Sequence, residues 1–218
     1  MKCFIIMFNR LTWPKKMAEF LSDTGCEVIF LDNNSTYLPL LEWYDSCPYK
    51  VYRLRRNWGH MVLWSSGIIR EYKDPFYAVT DPDLDLSSVP HDYLNFLMKG
   101  FANQDVVKVG LSLRIDDLPV NDFTREIMDR ELNFWSRLDA NGFYEAGVDT
   151  TFAIYDQDRL DKKVFDQYAC LRSPKPYTAR HLPWYLIPGN ISFEELHYMT
   201  QATEVSSFLK IFWDSFNK

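Results

Sequence analysis

Residues 76–85 read FYAVTDPDLD, an apolar run that ends abruptly in acidic residues. A short apolar run bounded by polar residues is typical of a strand buried on both faces. Similar runs occupy residues 2–8, 27–31 and 49–54, and helix-like segments separate them. Strand and helix in regular alternation predict an α/β fold with a mostly parallel central sheet flanked by helices.

The second half of the chain is less regular. Four prolines between residues 172 and 190 predict an irregular loop there. No repeat or long linker interrupts the chain, so we expect one domain over residues 1–218. The apolar spacing assigns the other elements to strands at 106–115 and 151–155 and to helices at 38–44, 59–72, 122–138 and 192–216.

The composition is that of a globular chain and argues against several classes of protein. The chain has 218 residues, of which 47% are hydrophobic and 25% charged, enough for one sizeable core. Thirty acids against 24 bases give a formal charge of −6, which argues against a nucleic-acid partner. No apolar run approaches the roughly 20 residues that a transmembrane segment needs. The four cysteines are scattered, which favours reduced thiols in a cytosolic protein.

Polar clusters follow each of the first four predicted strands. They are Asn9-Arg10, Asp32-Asn33-Asn34, Arg55-Arg56-Asn57 and Asp81-Pro82-Asp83. In open α/β sheets, ligands bind beyond the carboxyl ends of the strands, so these loops should meet at one rim. The sequence therefore predicts a polar ligand site at that rim.

The most distinctive of these clusters is the Asp81-Pro82-Asp83 motif. A turn at Pro82 can bring both carboxylates toward one ion, and hard oxygen ligands suit Mg²⁺ or Mn²⁺. A solvated acidic turn is the alternative, because such tripeptides are frequent by chance. The position of the motif at the end of a strand favours the metal site.

Basic and glycine residues follow the third predicted strand. Arg55 or Arg56 could meet a base or a phosphate, although an exposed edge would carry the same charges. Gly59-His60 opens a predicted helix, whose N-terminal N–H groups attract anions. Both features gain weight from lying at the same predicted rim.

The second half adds further candidates. His181 could complete a metal site as a neutral imidazole, or be structural or simply exposed. Asp149 either caps a turn or faces substrate as a general base. The Asp116-Asp117 pair is a further candidate, and an exposed turn explains it equally well. No nucleophile elbow, P-loop or dinucleotide-binding glycine motif occurs.

Seven short segments run in order over nearly the whole chain. They are residues 8–12 FNRLT, 31–36 LDNNST, 56–60 RNWGH, 80–83 TDPD, 108–113 KVGLSL, 148–153 VDTTFA and 179–185 ARHLPWY. Together they resemble the motifs of small nucleotide-sugar-dependent glycosyltransferases of the GT-A fold. The resemblance is to a family-two-like group found in bacteria and large DNA viruses, with a viral capsid-modifying enzyme as one candidate identity.

The resemblance implies that residues 1–115 bind the nucleotide sugar and that residues 116–218 form the acceptor side with C-terminal helices. Asp32 would hydrogen-bond the base, usually uracil, and Gly59-His60 would meet the diphosphate. The implied nucleotide-binding set is Phe8, Asn9, Arg10, Asp32, Arg56, Asn57, Gly59, His60 and Asp81.

The resemblance also implies a metal site and two catalytic residues. Asp83 would coordinate the metal directly, Asp81 would bind ribose or metal, and His181 would reach the metal or diphosphate. Asp149 would lie where the acceptor meets the sugar. Asp83 and Asp149 are therefore the implied catalytic residues, and Asp85 is an acid beyond the usual motif.

The resulting expectation is a metal-dependent, hexosyltransferase-like glycosyltransferase in the cytoplasm of a bacterium or a virus-infected cell. It would use Mn²⁺ or Mg²⁺ to move a sugar from a UDP-sugar to a hydroxyl of a glycan or glycoconjugate. If the reaction inverts configuration, Asp149 should deprotonate that hydroxyl, whereas a retaining reaction needs no such base. One alternative is a nucleotidyltransferase, which the absence of glycine from residues 8–14 disfavours. Another is a non-catalytic carbohydrate-binding module on a degenerate transferase fold.

Overall fold

The computed structural model describes residues 1–163, 170–187 and 189–202. Its strands are β1 Lys2–Met7, β2 Glu27–Asp32, β3 Lys50–Arg53, β4 Phe76–Thr80, β5 Leu84–Asp85, β6 Lys108–Gly110, β7 Ser112–Leu113, β8 Tyr144–Glu145, β9 Ala153–Asp156, β10 Cys170–Arg172 and β11 Thr178–His181. Its α-helices are α1 Thr12–Asp23, α2 Leu38–Tyr44, α3 Val62–Ser65, α4 Tyr93–Met98, α5 Asp122–Leu132, α6 Gln157–Lys163 and α7 Phe193–Gln201.

The larger of two sheets has eight strands in the order β3-β2-β1-β4-β9-β6-β10-β8. β1 pairs in parallel with both β2 and β4, with Met7 opposite Asp32 and Ile5 opposite Thr80. Only β8 and β9 run against the other six strands of this sheet in the described residues. The prediction of a single α/β domain with a mostly parallel central sheet flanked by helices is confirmed.

The alternating side chains of β1 explain why its sequence is apolar throughout. Cys3, Ile5 and Met7 belong to the core on one face of the sheet, which α1, α2, α4 and α5 cover. Phe4 and Ile6 belong to the core on the other face, where α3 and α6 pack. A strand buried on both faces needs apolar residues at consecutive positions, which is the pattern that predicted it.

A second sheet has three short strands in the order β5-β11-β7. β5 follows the Asp81-Pro82-Asp83 motif and pairs antiparallel with β11, so that His181 lies opposite Leu84. This pairing brings His181 next to Asp83 although the two are distant in sequence. The prediction of an irregular loop over residues 172–190 is wrong for Thr178–His181, because that segment finds strand partners on both sides.

The predicted helix over residues 59–72 is wrong as a continuous element. The chain forms a 3-10 turn at Gly59–Met61, then the single turn of α3, then a second 3-10 turn at Ile68–Glu71. Gly67 has φ +81°, and this left-handed conformation ends α3. The apolar spacing was helical, but it did not reveal the break.

The predicted strand over residues 106–115 is divided between the two sheets. The division falls at Leu111, whose N–H donates to the Phe152 carbonyl at 2.9 Å, between the ends of β6 and β7. The chain therefore leaves the larger sheet there and continues in the smaller one. Divided in this way, one predicted strand contributes to both sheets.

The helices of the second half are shorter than predicted. The helix expected over residues 122–138 ends at Leu132 and continues as a 3-10 turn at Asn133–Trp135. α7 accounts for the start of the helix expected over 192–216, and residues 203–218 lie outside the described residues. Of the helices in the described ranges, none has the length and apolar character needed to cross a membrane.

Candidate functional site

The carboxyl ends of β1, β2 and β3 open onto a cleft with a volume of about 200 Å³. The cleft is formed by loops after these three strands and by the end of α7. Its lining residues are Phe8, Asn9, Asn33, Asn34, Thr36, Asn57 and Gln201. The structure therefore brings together three residues of the predicted nucleotide-binding set, and it adds a glutamine from the far end of the chain.

Asn9 anchors the first loop of the cleft. Its backbone has φ +52°, a left-handed conformation that is uncommon outside glycine. Its side-chain oxygen accepts hydrogen bonds from the N–H groups of Thr36 at 2.6 Å and Tyr37 at 3.0 Å. Its side-chain nitrogen is buried and has no partner among the described residues. Asn34, on the loop after β2, also has a positive φ, +63°. Such strain is often retained at binding sites.

The third loop of the cleft is held by asparagine side chains. Asn33 accepts from the N–H of Trp58 at 3.0 Å and donates to the Gly59 carbonyl at 3.1 Å. Asn57 accepts from the N–H of Gly59 at 2.7 Å. The exposed guanidinium of Arg56 stacks on the Trp58 ring, 3.3 Å from its centroid. Of the implied nucleotide-binding residues in this loop, Asn57 therefore lines the cleft and Arg56 covers an indole face.

His60, Arg55 and the acidic pair at 116–117 lie outside the cleft lining. His60 and Arg55 are exposed. Asp116 accepts from Lys175 at 2.5 Å, and Asp117 accepts from the Tyr185 hydroxyl at 2.6 Å. The acidic pair thus belongs to a network of surface ion pairs and hydrogen bonds.

Asp32 lies at the end of β2 but does not line the cleft. It is buried, and one carboxylate oxygen accepts from the Tyr44 hydroxyl at 3.2 Å while the other accepts from the Ser35 N–H at 3.2 Å. Burial raises the pKa of Asp32 above its ordinary value. The carboxylate thus fixes the loop that carries Asn34. Its implied contact with a base stays a prediction.

Arg10 is 2% exposed and is bound by two carboxylates. Its guanidinium donates twice to Glu195, at 2.8 Å to each oxygen, and once to Asp83 Oδ2 at 2.9 Å. The Tyr198 ring covers it, with the ring centroid 3.6 Å from the guanidinium carbon. Burial alone would lower the pKa of Arg10, but the attraction of Glu195, Tyr198 and Asp83 together outweighs it and raises that pKa. Arg10 is therefore a fixed counter-charge within the site.

Asp83 keeps one carboxylate oxygen without a hydrogen-bond partner. This oxygen, Oδ1, is buried and lies 3.6 Å from Nε2 of His181, too far for a hydrogen bond. The His181 ring packs edge-on against Trp184, and its Nδ1 is also unpartnered among the described residues. Burial lowers the pKa of His181, so its imidazole is neutral at physiological pH. A carboxylate oxygen of Asp83 and an imidazole nitrogen of His181, both of kinds that can bind a metal, thus face each other.

Asp81 faces the loop that precedes β9. Its Oδ2 accepts from the Thr150 hydroxyl at 2.8 Å, and its N–H donates to the Thr150 carbonyl at 3.0 Å. Burial, reinforced by repulsion from Asp83, raises the pKa of Asp81 to about 7. Asp149, which directly precedes Thr150 in that loop, is exposed. One of its carboxylate oxygens accepts from the Thr150 N–H at 2.9 Å. Asp149 is therefore accessible to a substrate.

These donors fit part of a divalent metal site. The 3.6 Å between Asp83 Oδ1 and His181 Nε2 is near the spacing of two ligands on one ion, since Mg²⁺–oxygen bonds are about 2.1 Å long. Within the described ranges, no group of three or more His, Cys, Asp or Glu side chains is arranged to hold a metal. Mg²⁺ sites commonly take one or two carboxylates and complete the shell with water and substrate phosphates.

Four residues of this region were not predicted from the sequence. Glu194 accepts from the N–H groups at the start of α1, Glu195 binds Arg10, Tyr198 stacks on Arg10, and Gln201 lines the cleft. The pattern Ser192-x-x-Glu195 is a helix-start signal, and Ser192 does accept from the Glu195 N–H at 3.1 Å. That signal places α7 but says nothing of its partners, which lie about 180 residues away.

Comparisons with known proteins identify the fold alone. No protein-family model and no curated protein matches the chain. S. aureus TarS 1-349 matches with a TM-score of 0.52 at 13% identity, over 84% of this chain and 60% of that one. S. aureus TarS matches with 0.52 at 12% identity, over 98% and 43%. TarS 1-349 in complex with UDP matches with 0.50 at 12% identity, over 82% and 59%.

This chain therefore spans 60% or less of the length of those TarS chains. The shared architecture confirms the predicted GT-A-like fold, a large central sheet flanked by helices. Identities of 12 and 13% carry no residue roles from one protein to the other.

Proposed function

We propose that this chain is a metal-dependent glycosyltransferase of the hexosyltransferase class. It moves a sugar from a nucleoside diphosphate sugar, a UDP-sugar, to a hydroxyl of a glycan or glycoconjugate. The observation that carries the proposal is the pair of buried Asp83 and half-buried His181, whose Oδ1 and Nε2 face each other without a hydrogen bond between them. Asp83 follows β4, which is parallel to β1, so it lies at the same edge of the larger sheet as the amide-lined cleft.

The cleft supports the nucleotide half of the proposal. Asn9, Asn57 and Gln201 offer amide groups, and Phe8 offers a ring face. Amides can both donate to and accept from the edge of a uracil base. The TarS 1-349 structure of similar fold contains UDP, which supports this ligand class. Residues 1–115 supply most of this side, and α7 adds to it.

The carboxylates support the metal half of the proposal. Asp83 Oδ1 and His181 would hold Mn²⁺ or Mg²⁺, with Asp81 binding the same ion or the ribose. When bound, such an ion stabilises the negative charge that develops on the leaving diphosphate. Arg10 orients the Asp83 carboxylate, because it donates to Oδ2 and leaves Oδ1 open.

The exposed carboxylate of Asp149 supports the acceptor half of the proposal, because it can act as the base for the acceptor hydroxyl. In an inverting reaction it accepts the proton of the attacking hydroxyl as the new bond to the sugar forms. Its neighbour Thr150 is bonded to Asp81, so base and donor site are mechanically linked. The four cysteines all lie in the described residues and none forms a disulfide, which supports a reducing, cytoplasmic setting.

A screen of nucleotide sugars with Mn²⁺, scored by release of the nucleoside diphosphate, tests the proposal. We expect at least one UDP-sugar to be turned over by the wild type and not by Asp83→Asn. Asp45→Asn, at an exposed aspartate outside the site, is the matched control and should retain the wild-type rate. Turnover that survives in Asp83→Asn would contradict the metal-binding role.

A further inference from the structure

Lys108 is a buried lysine next to the loop that carries Asp149. It lies on β6 and is 6% exposed. Its ammonium donates to the carbonyl oxygens of Val148 at 2.5 Å and of Asp149 at 2.8 Å. The same group lies 4.9 Å from the centroid of the Tyr155 ring. In the described part of the chain, this ammonium thus contacts two backbone carbonyls and an aromatic face.

A buried ammonium normally pairs with a carboxylate, because an uncompensated charge in the interior is unfavourable. In the described part of the chain, no carboxylate forms an ion pair with Lys108. Burial lowers the pKa of Lys108 to about 8, which shows how strongly this environment disfavours the charge. A methionine of similar length would fill the space without that penalty. Departures of this kind from ordinary core composition occur at functional sites.

The loop that Lys108 binds connects two of the proposed active-site acids. Thr150 donates from its N–H to Asp149 at 2.9 Å and from its hydroxyl to Asp81 at 2.8 Å. The loop also lies close to β6, since a Cβ on Gly110 would be 2.5 Å from Val148. Lys108 and Gly110 are two residues apart on one face of the strand, so both act on the same segment.

We propose that Lys108 is a positioning residue, which fixes residues 148–150 through its two hydrogen bonds and so sets where the Asp149 carboxylate stands relative to Asp81. This inference rests on the proposed function, because only there does Asp149 act as a base. A residue with this role affects the step in which the acceptor proton moves. Its effect on nucleotide binding should be small, since the cleft is lined from other loops and from α7.

Lys108→Met tests the inference, since it removes the ammonium and keeps the length of the side chain. We expect kcat to fall about 10- to 100-fold, the range seen when a supporting hydrogen bond to an active-site group is removed. The KM for the UDP-sugar should stay within about twofold. Hydrogen exchange should become faster at the amides of residues 149–151 and at the Asp81 amide, which bonds to the Thr150 carbonyl.

Two further variants keep the test decisive. Lys108→Gln retains an amide NH₂ donor on a shorter chain, so it should keep part of the hydrogen bonding and give a kcat between those of wild type and Lys108→Met. Lys50→Met is the matched control, because Lys50 lies on the exposed strand β3 and donates to Tyr52 at 2.7 Å and Tyr72 at 3.0 Å. It should leave kcat and the exchange of residues 149–151 unchanged.

The inference is overturned if both Lys108 variants keep the wild-type kcat, or if their loss appears in KM rather than kcat. Wild-type exchange at residues 149–151 in Lys108→Met also contradicts it. Failure of the proposed function gives a different result: the wild type then turns over no nucleotide sugar. The exchange measurement needs no substrate, so it still decides whether Lys108 holds this loop.

Discussion

The two sides of the site are held in different ways. On the cleft side, neutral amides such as Asn9 and Asn33 bond to backbone groups of neighbouring loops. On the acid side, the charged groups of Asp83, Arg10 and Glu195 are buried together, and Arg10 and Glu195 lie 185 positions apart in the sequence. Among the described residues each side keeps an unpartnered buried polar atom, the amide nitrogen of Asn9 on the cleft side and a carboxylate oxygen of Asp83 on the acid side. The comparison indicates that only the acid side depends strongly on charge.

The largest loss of stability should come from removing the positive charge of Arg10, which binds both carboxylates of the acid side. Arg10→Met leaves the carboxylates of Asp83 and Glu195 buried without their counter-charge. Breaking a buried ion pair from one side costs about 3–5 kcal/mol. We expect a loss of that size in the free energy of unfolding, measured by urea denaturation at pH 7.

Arg56→Met is the matched control on the cleft side. Its guanidinium is exposed and lies over the Trp58 ring. A cation–π contact at an exposed site contributes about 0.5–1 kcal/mol. Equal losses in Arg10→Met and Arg56→Met would contradict the contrast between the two sides.

A smaller loss in the free energy of unfolding is expected when the charge of Glu195 is removed and its shape is kept. Glu195→Gln weakens two charged hydrogen bonds to Arg10, and hydrogen bonds to charged groups contribute about 1.5–3 kcal/mol. It should also weaken Mn²⁺ binding, measured by electron paramagnetic resonance, because Arg10 then shifts toward Asp83. Glu194→Gln, which touches α1 rather than Arg10, should bind Mn²⁺ as the wild type does.

The acid side should also respond to pH. The pKa of Asp81 is raised from 3.8 to about 7, chiefly by burial. A carboxyl with a raised pKa in the folded state favours folding while protonated, so this contribution is complete below pH 3.8 and lost as the pH rises to about 7. The melting temperature should fall over that window more in the wild type than in Asp81→Asn. Identical profiles would show that Asp81 does not carry the effect.

The smallest change in free energy is expected from a substitution in the lining of the cleft. Gln201→Ala removes one neutral amide from its lining, and a neutral hydrogen bond contributes about 0.5–1.5 kcal/mol. We expect UDP affinity, measured by isothermal titration calorimetry, to fall about 2- to 13-fold. The free energy of unfolding should not change measurably. A stability loss as large as that of Arg10→Met would remove the distinction between the two sides.

The same contrast explains what the sequence predicts well. The rim follows from apolar strands that end in polar clusters, and parallel strands place those ends together. That reasoning brought Asn9, Asn57, Asp81 and Asp83 to one edge of the sheet. The parallel orientation of β1 to β4 follows from the alternation with helices in the same way.

The acid side could not be predicted in full because its partners are far apart in sequence. The link between Arg10 and Glu195 spans 185 positions, and no local pattern records it. Lys108 reads as an ordinary polar residue in a strand until the loop at 148–150 is placed beside it. The break at Gly67 was missed for a different reason, since the apolar spacing around it remains helical.

The central claim is that the acid side binds a cation together with a nucleotide held in the cleft. Calorimetric titration of UDP into the wild type and Asp83→Asn, each with Mn²⁺ and with EDTA, tests it most directly. We predict that Mn²⁺ tightens UDP binding at least tenfold in the wild type and has no effect in Asp83→Asn. UDP affinity that is the same in Mn²⁺ and in EDTA for the wild type would contradict the account.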